Sequence, residues 1–288
     1  MLNINWYPGH MKKTKDLINN NLKLVDLVIE LIDSRIPYSS KNPDIDKLIV
    51  NKPRIVVMNK SDLSNEKANR KWIDYYKSRA QSVILANSVS NVGISNIINE
   101  ATKAVEEKML LRESKGIKNT SIRAMIVGIP NVGKSTLINS LAGRKGAQTG
   151  NRPGITKGKQ WIKLKGNIEL LDTPGILWPK FDDENVALNL AFTGAIKDEI
   201  MDIETLALKL IERLREKEQA FLESRYDIQI ENNKPIEIME KIAYKRGCLL
   251  RKEEIDYTRV SHLILDEFRR GFIGQITLEY PEDIKNYD

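Results

Sequence analysis

The sequence predicts an α/β chain: a doubly wound, mostly parallel sheet followed by a small all-helical region. Short β-branched apolar runs alternate with helical stretches through the first 171 residues. The octapeptide Gly128-Ile129-Pro130-Asn131-Val132-Gly133-Lys134-Ser135 lies between one such run and a helical pattern. From Glu184 onward strand signals fade, and apolar residues recur at helical spacing.

Taken in order, residues 12–24 read as an amphipathic helix, with Leu17, Ile18, Leu22 and Leu24 among lysines and asparagines. Strand-like runs follow at Val25–Ile32, Arg54–Met58, Val83–Ala86, Ile122–Val127, Gln160–Leu164 and Ile168–Leu171. Between the third and fourth, Asn91–Arg112 reads as a helix and the polar Glu113–Thr120, with Gly116, as a connector. Ile203–Leu222, Ile236–Tyr244 and Val260–Phe268 are helical patterns separated by Asn232-Asn233-Lys234-Pro235 and Gly247. Two domains are expected, 1–181 with an N-terminal arm at 1–24, and 182–288.

At 288 residues and 41% hydrophobic content, the chain can bury one good core and a smaller second one. The net charge of +7 conceals an asymmetry. Residues 1–181 carry 30 Lys+Arg against 15 Asp+Glu, and residues 182–288 carry 16 against 24. A basic excess of this kind fits a polyanion such as nucleic acid, or equally a lysine-rich solvated surface. The single cysteine, Cys248, excludes an internal disulfide and a multi-cysteine metal site, and reads as a small core side chain. No apolar run approaches the ~20 residues that span a bilayer, and the N-terminus lacks the layout of a secretory signal. A cytoplasmic location and no membrane partner are expected.

Three motifs carry chemistry. In the octapeptide, glycines let backbone N–H groups wrap phosphates, Lys134 neutralises the β and γ oxygens, and the Ser135 hydroxyl ligates magnesium. Val132, Gly133 and Thr136 complete that loop. Asp172-Thr173-Pro174-Gly175 follows a strand, so Asp172 can hold magnesium through water and the Gly175 amide can meet a γ-phosphate. Asn59-Lys60-Ser61-Asp62 also ends a strand. The Asp62 carboxylate can accept both N1–H and the 2-amino N–H of guanine, a donor pair that adenine lacks. Lys60 can lie along the base face, and Asn59 can tie this loop to the phosphate loop.

These motifs resemble those of translation-factor-related GTPases, but the base-reading motif comes before the phosphate loop. With Trp6-Tyr7-Pro8-Gly9-His10-Met11 at the N-terminus and the helical tail, that order resembles the circularly permuted ribosome biogenesis GTPase A family of bacteria. The resemblance covers essentially the whole chain. It implies a circularly permuted P-loop GTPase fold, GTP and GDP as ligands, Mg2+ as cofactor, and action in late assembly of the large ribosomal subunit. The implied partners are a precursor of that subunit and its rRNA, with release on hydrolysis. It also places Asn87-Ser88 at the second base-contacting loop, where a departure from the usual Ser-Ala favours a backbone contact. Thr156 resembles the switch threonine that ligates magnesium, and Asn131 an asparagine that helps hold K+ in place of an arginine finger.

Ile176 stands where many small GTPases carry the glutamine that orients the attacking water, and an aliphatic side chain cannot do so. His10, after the hinge Pro8-Gly9, is the candidate replacement. The residues alone leave it between that role and a surface or packing histidine; the resemblance assigns it to catalysis. His262, in a helical pattern, is expected to be structural or RNA-facing. Lys241, Lys245, Arg246, Arg251 and Lys252 form a run without acids that can grip a phosphate backbone, with Tyr244 stacking on a base, or can be a solvated face. A competing functional class is an RNA-binding scaffold whose nucleotide is mainly structural; the magnesium and switch residues and His10 favour the enzyme.

Overall fold

The computed structural model describes residues 16–49, 52–80, 82–117, 121–143, 161–164, 166–173, 175, 177, 183–198 and 202–286. Among the described residues six strands form one sheet: β1 (Leu27–Asp33), β2 (Arg54–Asn59), β3 (Ser82–Leu85), β4 (Ile122–Gly128), β5 (Trp161–Lys163) and β6 (Ile168–Leu171). Their spatial order is β3-β2-β1-β4-β6-β5, parallel throughout except for the antiparallel edge strand β5. The order reverses between β1 and β4, the place where open α/β sheets gather ligand loops at the carboxyl ends of their strands.

All seven residues of β1 are buried, as a central parallel strand covered on both faces requires. Leu27, Ile29 and Leu31 join the large core, whereas Val28 and Ile32 point to two smaller clusters on the opposite face. Short helices cover the sheet: α1 (Pro43–Leu48), α2 (Glu66–Lys77), α3 (Ile94–Ala104), α4 (Glu106–Ser114) and α5 (Lys134–Ala142). Asn42 and Asn65 cap α1 and α2 by accepting from first-turn amides. The single helix expected over Asn91–Arg112 is two, because buried Val105 leaves helical geometry at φ −122° and ψ 8°. The described part of the first amphipathic stretch is helical at 16–22, with Ile18 and Leu22 buried and Leu17 and Leu24 exposed.

The helical region comprises α6 (Glu184–Phe192), α7 (Ile203–Tyr226), α8 (Pro235–Arg246) and α9 (Tyr257–Arg269). Pro235 opens α8 at a position where no amide partner is lost, and Gly247 ends it in the left-handed region. An Arg225–Glu267 pair, bonded through both guanidinium nitrogens Nε and Nη2, joins α7 to α9. Cys248 is buried and unpaired. No helix among the described residues is long and apolar enough to cross a membrane.

The large core is continuous from the sheet into these helices, running from Leu27 and Ile126 through Phe192 to Leu214 and Phe268. The chain then comes back. After α9, residues 275–279 pass across the loops that follow β1 and β2, and Trp72 of α2 donates its indole N–H to Glu279 O at 2.9 Å. Phe192, fully buried where helices meet sheet, is the sensitive point of this shared core. Phe192→Ala is expected to cost about 3–5 kcal/mol in urea denaturation; a loss under about 1 kcal/mol would show that the two regions do not share one packed core.

Candidate functional site

The loops after β1, β2, β3, β4 and β6 converge at one edge of the sheet. After β4, the chain turns through Asn131 at φ 57° and Gly133 at φ 102°, and α5 begins at Lys134. A side chain at Gly133 would collide with Asn59 Nδ2, so this position needs both the left-handed conformation and the missing Cβ. The first-turn amides of α5 have no helical carbonyl to bond, and Ser135 and Thr136 sit half-buried in that turn.

Lys134 is buried, and its ammonium donates back to Gly128 O at 2.9 Å and Ile129 O at 2.8 Å. Burial lowers its pKa to about 8, with Asp172 pulling the other way. Asp172 leaves the end of β6 half-buried, and burial pushes its carboxyl up against the opposing effects of Lys134 and the Thr173 amide. Thr173, buried, donates to Ile126 O at 2.5 Å and so pins this loop to β4. Gly175 comes so close that a Cβ would lie 2.9 Å from Lys134 Nζ and from the Pro130 backbone. The two phosphate-directed motifs are therefore packed against each other.

The base-reading motif joins them through Asn59. Its Nδ2 donates to Val132 O at 2.9 Å, while Oδ1 accepts from Ser88 N at 3.1 Å and Ser88 Oγ at 2.7 Å. One buried amide thus links the loops after β2, β3 and β4. Ser140 of α5 adds a bond to Ser88 O at 2.6 Å. Asn87 Oδ1 accepts from Val89 N and Ser90 N, so the Asn87 side chain shapes its own loop while that of Ser88 is engaged with Asn59. Ser61 donates its amide to Ala86 O, and Asp62 is exposed within the tight turn Ser61–Leu63. Lys60 reaches across to Asn131 O at 2.7 Å and to Asp33 at 2.9 Å.

Asp33 and Arg35 were not singled out by the motifs, yet they anchor the site. Arg35 binds both oxygens of Asp33, at 3.0 and 2.7 Å, and both residues are buried. Burial drives the Asp33 carboxyl up, but Arg35 and Lys60 outweigh it and hold the group well below the usual carboxylate range. The signal was present in the sequence: Asp33, like Asp172, is a carboxylate at a strand end. Arg35 also donates to Arg269 O at 3.2 Å, and Arg269 holds Phe192 O, Ala191 O and Asp198 at the end of α6. Asn131 Nδ2 donates to Gly194 O at 2.6 Å, closing a ring from base motif to helical region and back.

His10, Thr156 and Ile176 lie outside the described residues. In the helical region, Lys241 donates to Gln229 O and Asn233, Lys245 pairs with Asp227, and Arg246 bonds Arg225 O while stacking on Tyr226. Three of the five clustered cations thus serve local structure, whereas Arg251, Lys252, Leu250 and Tyr244 are exposed together with His262.

The family described as a 50S ribosome-binding GTPase matches residues 123–241. Ribosome biogenesis GTPase A of Bacillus cereus is 45% identical over 280 residues, 97% of this chain and 95% of the relative. The Thermotoga maritima protein of that name is 34% identical over 98% of this chain and 96% of its own length. Among solved structures, GDP-bound TM YlqF matches with a TM-score of 0.65 at 27% identity, covering 93% of this chain and 100% of that one. GNP-bound YlqF from T. maritima gives 0.64 at 28% identity, over 94% and 100%.

A phosphate chain on the loop at 128–135 returns to Lys134 the counter-charge that burial denies it, and so raises its pKa above about 8. GDP binding above pH 8 is then coupled to proton uptake: affinity is full below pH 8 and falls by up to about tenfold per unit above it. Calorimetric titration at pH 8.5 in two buffers of different ionisation heat reads this directly. Identical heats in both would mean that Lys134 is already fully charged before the ligand arrives.

Proposed function

The chain belongs to the ribosome biogenesis GTPase A family and is a GTPase; from that premise we propose that it binds a precursor of the large ribosomal subunit in its GTP state, in the cytoplasm. It acts there in late assembly and leaves on hydrolysis. The observation that carries this reading is the joining of the base-reading motif, the phosphate loop and the Asn87-Ser88 loop through one buried side chain, Asn59, bonded at once to Val132 and Ser88.

In this reading Asp62 accepts the two guanine donors, Lys60 spans the base face, and Ser61 and the backbone at Asn87-Ser88 close the base pocket. Amides of Asn131, Val132, Gly133, Lys134, Ser135 and Thr136 hold the phosphates, and Lys134 moves from its own carbonyls to the β and γ oxygens. The donor set fits Mg2+: Asp172 is a hard oxygen ligand whose pKa burial has raised, so an arriving cation relieves it. Ser135 and Thr156 are its companions, and Mg2+ supplies charge to the developing phosphoryl transition state. Asn131 offers its amide oxygen to K+. Gly175, wedged against Lys134 and Pro130, donates its amide to the γ-phosphate. His10 orients the attacking water that Ile176 cannot.

Residues 1–181 make the GTPase domain in this proposal, and 182–288 face the rRNA, with Arg251, Lys252 and Tyr244 as the exposed contacts. Sedimentation with large-subunit particles tests the partner. A non-hydrolysable GTP analogue should retain the protein on the particle and GDP should release it; equal retention would defeat the proposal.

Asp62→Asn replaces one acceptor by a donor, so GTP affinity should fall and xanthosine triphosphate be favoured. Unchanged GTP affinity would remove Asp62 from the base pocket. The free protein should turn over slowly, on the order of 10⁻⁴ to 10⁻² per second. His10→Ala should keep GTP and particle binding yet lose about 10²- to 10⁴-fold of the particle-stimulated rate. Normal hydrolysis by this variant on particles would assign catalysis to another group.

A further inference from the structure

The turn that presents Asp62 is held from an unexpected direction. Its upstream end is fixed inside the sheet, where Ser34 N bonds Asn59 O and Ser61 N bonds Ala86 O. Its downstream end is fixed by the chain's own C-terminal segment. Gln275 Nε2 donates to Asp62 O at 3.1 Å, and Ile276 N donates to Leu63 O at 3.0 Å. Thr277 Oγ1 accepts from Asn65 N at 3.0 Å and donates to Ser34 O at 3.4 Å, bridging the N-cap of α2 to the turn after β1. Leu278 N bonds Arg35 O at 2.8 Å. Glu279, buried, accepts from Tyr38 N, Ser39 N, Ser39 Oγ and Asn189 Nδ2, and its carbonyl takes the Trp72 indole.

We infer that Gln275–Glu279 is a strap that positions the Asp62 carboxylate for guanine, making Gln275 and Thr277 specificity-determining positioning residues. The physical reason is geometric. Two hydrogen bonds from one base edge to one carboxylate demand a fixed plane, and Asp62 is an exposed side chain on a three-residue turn. Such a turn has too few bonds of its own to fix that plane. The carbonyls of Asp62 and Leu63 receive donors from the strap, and Leu63 packs where Gly271 leaves no side chain. Only residues 270–274 separate the strap from α9, so the helical region and the base-reading turn are mechanically continuous.

The inference rests on Asp62 reading guanine, so the test compares GDP with inosine diphosphate, which keeps N1–H but lacks the 2-amino donor. Full-length Gln275→Ala, Thr277→Val and the double variant are titrated with both nucleotides in Mg2+. Gln275 is exposed, so its alanine variant does not threaten folding, and thermal melting checks the buried Thr277. The GDP-over-IDP affinity ratio should fall by about 3- to 10-fold in the double variant, and Thr277→Ser should restore its share by keeping the hydroxyl. A merely structural role would weaken both nucleotides equally and leave the ratio alone; a ratio within twofold of the parent overturns the strap. Asp62→Asn, run alongside, separates the two ideas. A normal xanthine switch with an unchanged strap ratio sinks the strap alone, whereas no xanthine switch sinks the guanine reading and the strap with it.

Discussion

The ion group of buried Asp33 and Arg35 with half-buried Lys60 is the constraint on which the site is built. Asp33 faces two cations, of which Arg35 is buried and Lys60 reaches partly into solvent, so the donors turned inward need acceptors of their own. Here carbonyls meet them: Arg269 O receives Arg35, and Asn131 O receives Lys60. Those two acceptors belong to α9 and to the phosphate loop. The need to satisfy one buried charge cluster therefore fixes the distance between three parts of the chain far apart in sequence. Removing Asp33 alone would leave the buried Arg35 without its counter-charge, a loss on the order of 3–5 kcal/mol.

A second constraint is electrostatic frustration in the phosphate loop. Burial disfavours the charged form of both Lys134 and Asp172, and each is the other's main compensation. Lys134 falls back on the carbonyls of Gly128 and Ile129, weak substitutes for an anion. An anionic phosphate chain relieves the lysine and a divalent cation relieves the carboxylate. The loop is thus polarised before any ligand arrives, and Lys134 is the side chain left to turn from Gly128 O and Ile129 O toward an anion.

Much of this was legible in the sequence because period and position carry it. β1, β2 and β4 are mostly apolar runs, and each motif sits where such a run ends. The break of α3 from α4 at Val105 was not legible, since a buried valine with non-helical angles answers to packing rather than to propensity. The Asp33–Arg35 pair was legible in principle but lacked a familiar spacing. The path of Gln275–Glu279 was not: a tail that reads as an afterthought to a helical pattern is held by partners over 200 residues away, and no local periodicity encodes them. The cation cluster at 241–252 illustrates the opposite failure. Its density suggested one surface, but Lys241, Lys245 and Arg246 are turned to local partners.

Permutation gives these contacts their consequence. With the base-reading motif first and Asp172–Gly175 late, the helical region follows the last motif in sequence. The turn ending α6 returns to the phosphate loop, where Gly194 O accepts from Asn131. A carbonyl can only accept, so this contact dictates which end of the Asn131 amide faces it: the nitrogen is committed to Gly194, and the oxygen is left as the group able to ligate a cation. A cation at that oxygen, as proposed above, would be compatible with attachment of α6 through the nitrogen, each polarising the amide in the sense that strengthens the other. The asparagine acts less as a choice between nucleotide site and helical region than as the joint between them. Together with the Arg35–Arg269 contact and the bonds of residues 275–279, it ties the helical region to the phosphate loop, to the loop after β1 and to the base-reading turn.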